Sequence, residues 1–85
     1  MNVQTTRPFD REYARLPETV KDLADKSLGL LLANPRHPSL GFKRIRGTQG
    51  IWEVRVSRAY RLTLEIAGET YILRRVGTHA VLNQP

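Results

Sequence analysis

Arg55 and Arg61 stand in two segments where apolar and polar residues alternate, and that placement sets the chemistry open to the chain. Trp52, Val54 and Val56 alternate with Glu53, Arg55 and Ser57, and Tyr60, Leu62, Leu64 and Ile66 alternate with Arg61, Thr63 and Glu65. A period of two predicts strands with one apolar and one polar face. With the apolar faces packed on another layer, Arg55 and Arg61 share the opposite face of two paired strands. Guanidinium groups keep their charge when partly buried, and their planar fork matches phosphate oxygens. Two of them on one open surface repel each other, and a phosphodiester relieves that repulsion. The competing reading gives both arginines to Glu53 and Glu65 on the same face, as surface ion pairs that contribute little each.

The wider charge distribution is consistent with an anionic ligand. The 85 residues carry 14 Lys+Arg against 8 Asp+Glu, a formal net charge of +6. Residues 1–40 nearly cancel, whereas residues 41–85 carry Lys43, Arg44, Arg46, Arg55, Arg58, Arg61, Arg74 and Arg75 against only Glu53, Glu65 and Glu69. A field of this sign suits nucleic acid, and it equally suits a solvated basic surface that serves solubility. The absence of cysteine excludes disulfide staples, thiolate zinc sites and a Cys nucleophile together, and fits a reducing cytoplasm. His37 lies in a Pro-flanked loop beside Arg36, far in sequence from the strands, and is expected to do no chemistry.

The elements that must position these groups can be read from periodicity. Phe9, Tyr13 and Leu16 fall at i, i+4, i+7 with charged residues between them, which predicts a short amphipathic helix ending at Pro17. Val20, Leu23, Ala24, Leu28 and Leu31 continue at helical spacing up to Asn34-Pro35, where the residue before proline leaves the helical region. The first half therefore reads as an α-hairpin, and residues 34–41 read as loop. Beyond Phe42 the period is two. A strand is expected over 42–46, then the Trp52 and Tyr60 strands joined by a turn at Ser57-Arg58-Ala59, then a turn at Ala67-Gly68-Glu69 and a run from Thr70 to Val76. In that last run Arg74 and Arg75 are adjacent, so one of them must point toward the helices or lie at a sheet edge. Asn2 to Thr5 is a further candidate edge strand. Trp52 and Tyr60 are expected as core anchors, and Tyr13 and Tyr71 as core or its edge. The expected architecture is α+β, an N-terminal α-hairpin packed on one face of a small, mainly antiparallel sheet.

Length limits what this fold can hold. A single domain over residues 1–85 buries about 60% of the surface of its unfolded chain, which leaves no deep crevice, and no cofactor is expected. The longest apolar run, Leu28 to Ala33, has six residues and includes Gly29, so no membrane span is expected. Met1 to Thr6 lacks the basic-then-apolar pattern of a secretory signal.

The stretch Gly50-Ile51-Trp52-Glu53-Val54-Arg55-Val56-Ser57-Arg58-Ala59-Tyr60-Arg61-Leu62, followed by Val76-Gly77-Thr78-His79, resembles the RelE/ParE superfamily of bacterial toxins from type II toxin–antitoxin pairs. The resemblance covers most of the chain, including the α-hairpin and the basic Lys43-Arg44-Ile45-Arg46-Gly47 strand. Its RelE-like branch implies a ribosome-dependent mRNA endonuclease, an mRNA interferase that inhibits translation. That branch works without a metal, in agreement with the lack of a His/Asp/Glu cluster at ligand spacing. Carried over position by position, the resemblance implies catalytic roles for Arg55, Arg61 and His79. It implies RNA or phosphate contacts for the basic strand at Lys43, Arg44 and Arg46, and the remaining second-half cations Arg58, Arg74 and Arg75 are expected to join them.

Metal-free RNA cleavage needs the 2′-hydroxyl deprotonated, the charge on the pentacovalent phosphate stabilised and the leaving 5′-oxygen protonated. Arginines meet the second need. An imidazole at position 79 ionises near neutral pH and meets the first or third, and neighbouring cations favour its neutral, proton-accepting form. Relatives often carry an acid directly after this histidine, whereas here it is Ala80. The resemblance also implies a cytoplasmic protein with a cognate antitoxin, forming a toxin–antitoxin hetero-oligomer, and with mRNA on the 70S ribosome as substrate. Two alternatives remain at this stage, a ParE-like DNA gyrase inhibitor and a catalytically weak relative that only binds its antitoxin.

Overall fold

Thr6 ends one element and begins the next. Its Oγ1 accepts the Phe9 N–H at 3.2 Å, capping a helix, while its hydroxyl donates to the Arg74 carbonyl at 2.7 Å. The N-terminal segment is thereby tied to the far end of the sequence. In the computed structural model, which describes residues 1–85, the elements run β1 (Asn2–Thr5), α1 (Arg7–Ala14), α2 (Glu18–Ala33), a 3₁₀ turn (Pro38–Leu40), β2 (Lys43–Arg44), β3 (Ile51–Arg55), β4 (Tyr60–Ala67), β5 (Thr70–Thr78) and a second 3₁₀ turn (His79–Leu82). The sheet order is β1-β5-β4-β3-β2. All neighbours are antiparallel except β1, which runs parallel to β5 with Val3 opposite Tyr71 and Thr5 opposite Leu73. The expected α+β architecture is the one found, and the polar first residues do form the edge strand.

Burial follows the alternation. Val54, Leu62, Leu64, Leu73 and Val76 of the sheet are fully covered together with Phe9, Leu16, Val20, Ala24 and Leu31 from the helical half. Helix α2 turns a slightly different face inward than its leucines predict. Val20, Ala24, Ser27 and Leu31 are buried, whereas Leu23 is 40% exposed. Ser27 holds this close face because its hydroxyl donates to the Arg55 carbonyl at 3.1 Å, where a leucine would not fit the polar contact. Trp52 is half-buried and packs on Phe42, with ring centroids 4.8 Å apart, so it closes the edge of the core rather than its centre. The strand expected over 42–46 has only two paired residues, since the chain turns at Gly47 and Gly50, both with φ of 77°. No helix is long and apolar enough to cross a membrane.

A β-bulge resolves the adjacent arginines. Thr63 pairs with Arg75 and Leu64 with Leu73, which leaves Arg74 as the extra residue on β5. Arg74 reaches Glu65 at 3.3 Å on the polar face, where it and the buried Thr63 also donate to the Pro85 carbonyl, and Arg75 reaches Glu12 of α1 at 2.6 Å. Because β1 stops at Thr5, α1 covers the next stretch of the β5 edge, and Glu12 also accepts the Val76 N–H. The hydrogen bonds that Arg75 donates to Glu12 raise its pKa, against the opposing effect of burial. Tyr13 ties the two helices together by donating to Asp25 at 2.6 Å, a bond that raises its pKa. Glu12→Ala leaves the part-buried Arg75 guanidinium and a backbone N–H without their partner, an expected loss of about 2 kcal/mol. Thermal unfolding should show this as a drop of roughly 10 °C, and an unchanged midpoint would refute the role given to this pair.

Candidate active site

Arg55 closes β3 and stands directly opposite Arg61 of β4. The two line one side of an open cleft of about 390 Å³, whose other wall is the loop from Pro35 through Pro38 and on to Lys43. The two arginines differ in state. Arg55 is exposed and forms no ion pair. Arg61 is 9% exposed, and its Nη1 donates to the carbonyls of Ser57 at 2.6 Å, Tyr60 at 2.9 Å and Arg58 at 3.4 Å. Its Nε lies 3.9 Å from Glu53 Oε1. One expected carboxylate pair is thus present, while Glu65 is taken by Arg74 instead of an arginine of the cleft. Arg61 presents little free guanidinium and holds the 57–60 turn together.

That turn reaches His79. The imidazole is exposed, with Nε2 3.0 Å from the Arg58 carbonyl. A carbonyl only accepts, so Nε2 carries the hydrogen, and in the neutral ring Nδ1 keeps its lone pair free. Arg61 Nη1 and His79 Nε2 therefore converge on one carbonyl oxygen. His79 itself does not line the cleft, and Arg61 is the link between them. Ala80 beside it is exposed and offers no acid.

No protein-family model matches the chain, and no curated protein sequence matches it. Solved structures do. YafQ from E. coli shares 16% identity over 95% of this chain and 96% of its own, with a TM-score of 0.76. The RelB–RelE antitoxin–toxin complex from Methanococcus jannaschii gives 18%, 95% and 95%, with 0.75. A YoeB/ParE toxin from Agrobacterium tumefaciens gives 14% identity over 93% of this chain and 99% of its own, with 0.79. The chain has the RelE/ParE toxin fold.

Within this RelE-like fold the other cations separate into groups. Lys43 lines the cleft with Arg55 and Arg61. Arg44 and Arg46 are exposed on and after β2, outside it, and Arg58 is exposed on the 57–59 turn. Arg74 and Arg75 lie over a separate hollow with Thr6, Pro8, Gln84 and Pro85, and both are committed to carboxylates. They do not join the cleft, because the bulge sends one to Glu65 and the other to the helix.

The residue that sequence reasoning set aside is His37. The loop folds back so that Arg36, His37 and Pro38 face Arg55 across the cleft. Distance along the chain was a poor guide here. Pro35 and Pro38, on either side of Arg36-His37, restrict the backbone of this loop.

Gly77 sets the position of His79. A Cβ at residue 77 would stand 2.9 Å from Val81 Cγ1, and Val81 is buried. Gly77→Ala must push the 79–82 turn away, at an expected cost of about 1–3 kcal/mol. The melting temperature should fall by roughly 5–15 °C and the His79 imidazole NMR signals should shift. Wild-type melting with unmoved signals would show that the turn does not depend on this contact.

Proposed function

We propose that this protein is the toxin of a type II toxin–antitoxin pair and acts in the cytoplasm as a metal-independent endonuclease on mRNA held by the 70S ribosome. The observation that carries the reading is the unpaired Arg55 at the cleft, joined through Arg61 and the Arg58 carbonyl to a histidine whose Nδ1 is free to accept a proton. In the proposed reaction His79 Nδ1 takes the 2′-hydroxyl proton, O2′ bonds to phosphorus and the bond from phosphorus to O5′ breaks. O5′ takes a proton from solvent water, which gives a cyclic phosphate and a free 5′-hydroxyl. Arg55 and Lys43 stabilise the extra negative charge on the phosphoryl oxygens. Arg61 serves as a positioning residue for the turn that holds His79.

The partner proposed is an antitoxin with an acidic segment that covers the cationic cleft, in line with the RelB–RelE antitoxin–toxin complex of the same fold. The test is primer extension on a defined mRNA, free and on programmed ribosomes, with and without the protein. Cuts only in the ribosomal sample are expected. Cuts in neither, together with stalled gyrase supercoiling, would replace this reading with gyrase inhibition. The exposed Ala80 favours one further reading, a chain that pairs with its antitoxin and cuts slowly. Ala80→Asp should then raise cleavage at least several-fold, and an unchanged rate would count against an orienting acid at this position.

A further inference from the structure

Residues 1–40 nearly cancel in charge along the sequence, but the fold sorts their signs. Arg7, Arg11 and Arg15 recur at i, i+4 and i+8 through α1 and its C-cap, so they form one row along a single side of the helix, about 6 Å apart along its axis. All three are exposed, and none forms an ion pair. The nearby acids are committed elsewhere. Glu12 holds Arg75 and the Val76 N–H, Glu18 pairs with Lys21, and Asp25 accepts from Tyr13. Asp10, at i+3 from Arg7, forms no ion pair with it.

Arg11 and Arg15 open onto a hollow of about 400 Å³, whose other lining residues are Pro8, Glu12 and Arg75. It shares no residue with the cleft at Arg55. Helix α1 packs on β5, whereas the cleft is lined from β2, β3 and β4. The lining also limits what the hollow can take, because every side chain in it except Pro8 is charged. A protein segment docks through buried apolar anchors, and this hollow supplies none. A sugar-phosphate strand needs none. Guanidinium forks bind its non-bridging oxygens, and a row of evenly spaced cations can meet its evenly spaced charges.

We propose that this hollow is a second phosphate-binding site, remote from the bond that is cut, in which Arg11 and Arg15 each hold a phosphate of an RNA strand and Arg7 extends the row. Arg75 and Glu12 stay paired with each other and form its wall. The inference rests on the reading of the protein as one that acts on RNA.

The experiment measures the affinity of a 2′-O-methyl RNA oligonucleotide, which cannot be cleaved, as a function of salt concentration at fixed pH. The strand is long enough to cross the 31 Å length of the molecule. The proteins compared are wild type, Arg11→Gln/Arg15→Gln, Arg55→Ala and Lys21→Gln/Lys26→Gln, each checked for folding by circular dichroism. The last removes the same charge from α2. The α1 variant is expected to bind roughly 25-fold more weakly at about 0.1 M salt, with a slope of log affinity against log salt smaller by about 1.4, the change for two phosphates of a single strand. The α2 variant should stay near wild type, and Arg55→Ala should weaken binding on its own account. If the α1 variant loses no more than the α2 variant, only net charge is at work and the inference is overturned, while a loss for Arg55→Ala leaves the cleft standing as an RNA site. If neither the α1 variant nor Arg55→Ala weakens binding, the RNA reading of the protein fails with it. If the α1 variant keeps its RNA affinity but loses binding to poly-glutamate, the hollow takes an acidic protein segment and the proposal is wrong.

Discussion

Arg55→Ala is expected to lower cleavage of ribosome-bound mRNA by about 10²- to 10³-fold, the usual cost of removing one donor from a developing phosphoryl charge. Its folding should be nearly untouched. The side chain is exposed and unpaired, and such substitutions usually change stability by no more than about 0.5 kcal/mol. The one structural duty at this position falls to its backbone carbonyl, which accepts from Ser27 whatever the side chain. Arg55→Lys should recover part of the rate, since an ammonium keeps the charge but gives up the two-pronged contact. Single-turnover cleavage with saturating protein is the measurement. An alanine variant that keeps more than about a third of the rate, against the loss expected for a direct donor, would remove Arg55 from the reaction.

Arg61→Ala should fail in the reverse order, first in stability and through it in activity. The guanidinium is buried, donates to three carbonyls of one turn and lies beside Glu53. Truncation leaves these acceptors and a mostly covered carboxylate without their partner, an expected loss of about 3 kcal/mol. A domain of this size has about 5–10 kcal/mol in total, so the urea midpoint should drop by roughly a third or more. Lysine should rescue little, because one ammonium cannot span the carbonyls of Ser57, Arg58 and Tyr60. A variant with a wild-type urea midpoint and no activity would falsify the positioning role and make Arg61 a direct ligand of the phosphate.

The contrast between these arginines marks where the sequence could be read and where it could not. Alternation around Trp52-Val54 and Leu62-Leu64 is a local property of the chain, and it correctly places Arg55 opposite Arg61 across two strands. It carries no information about depth. Arg61 is buried because the turn at residues 57–60 curls its carbonyls over the guanidinium, and nothing in a period of two announces a turn's curl. Arg74 and Arg75 show the same boundary. Their adjacency signalled a conflict, but the bulge that resolves it depends on how β5 registers with β4. His37 was hidden for a third reason, since its place opposite Arg55 comes from Leu40 being drawn into the core. Helix positions were legible to within a residue or two, whereas the inward face of α2 was turned by Ser27 reaching a backbone carbonyl.

The parallel pairing of β1 with β5 joins residues almost at opposite ends of the sequence, with Thr6 bonded to Arg74 across 68 positions. Contacts of this span form late and slowly. A chain growing from its N-terminus makes α1 and α2 first, but the sheet they cover and the strand that pairs with β1 are synthesised after them. His79 reaches the Arg58 carbonyl only once β5 has folded back. Until synthesis has passed the last strand, the half-made polypeptide has no imidazole beside the 57–60 turn. On the function proposed above, the delay separates the making of the protein from its action, so the ribosome producing it finishes before the product can bind there.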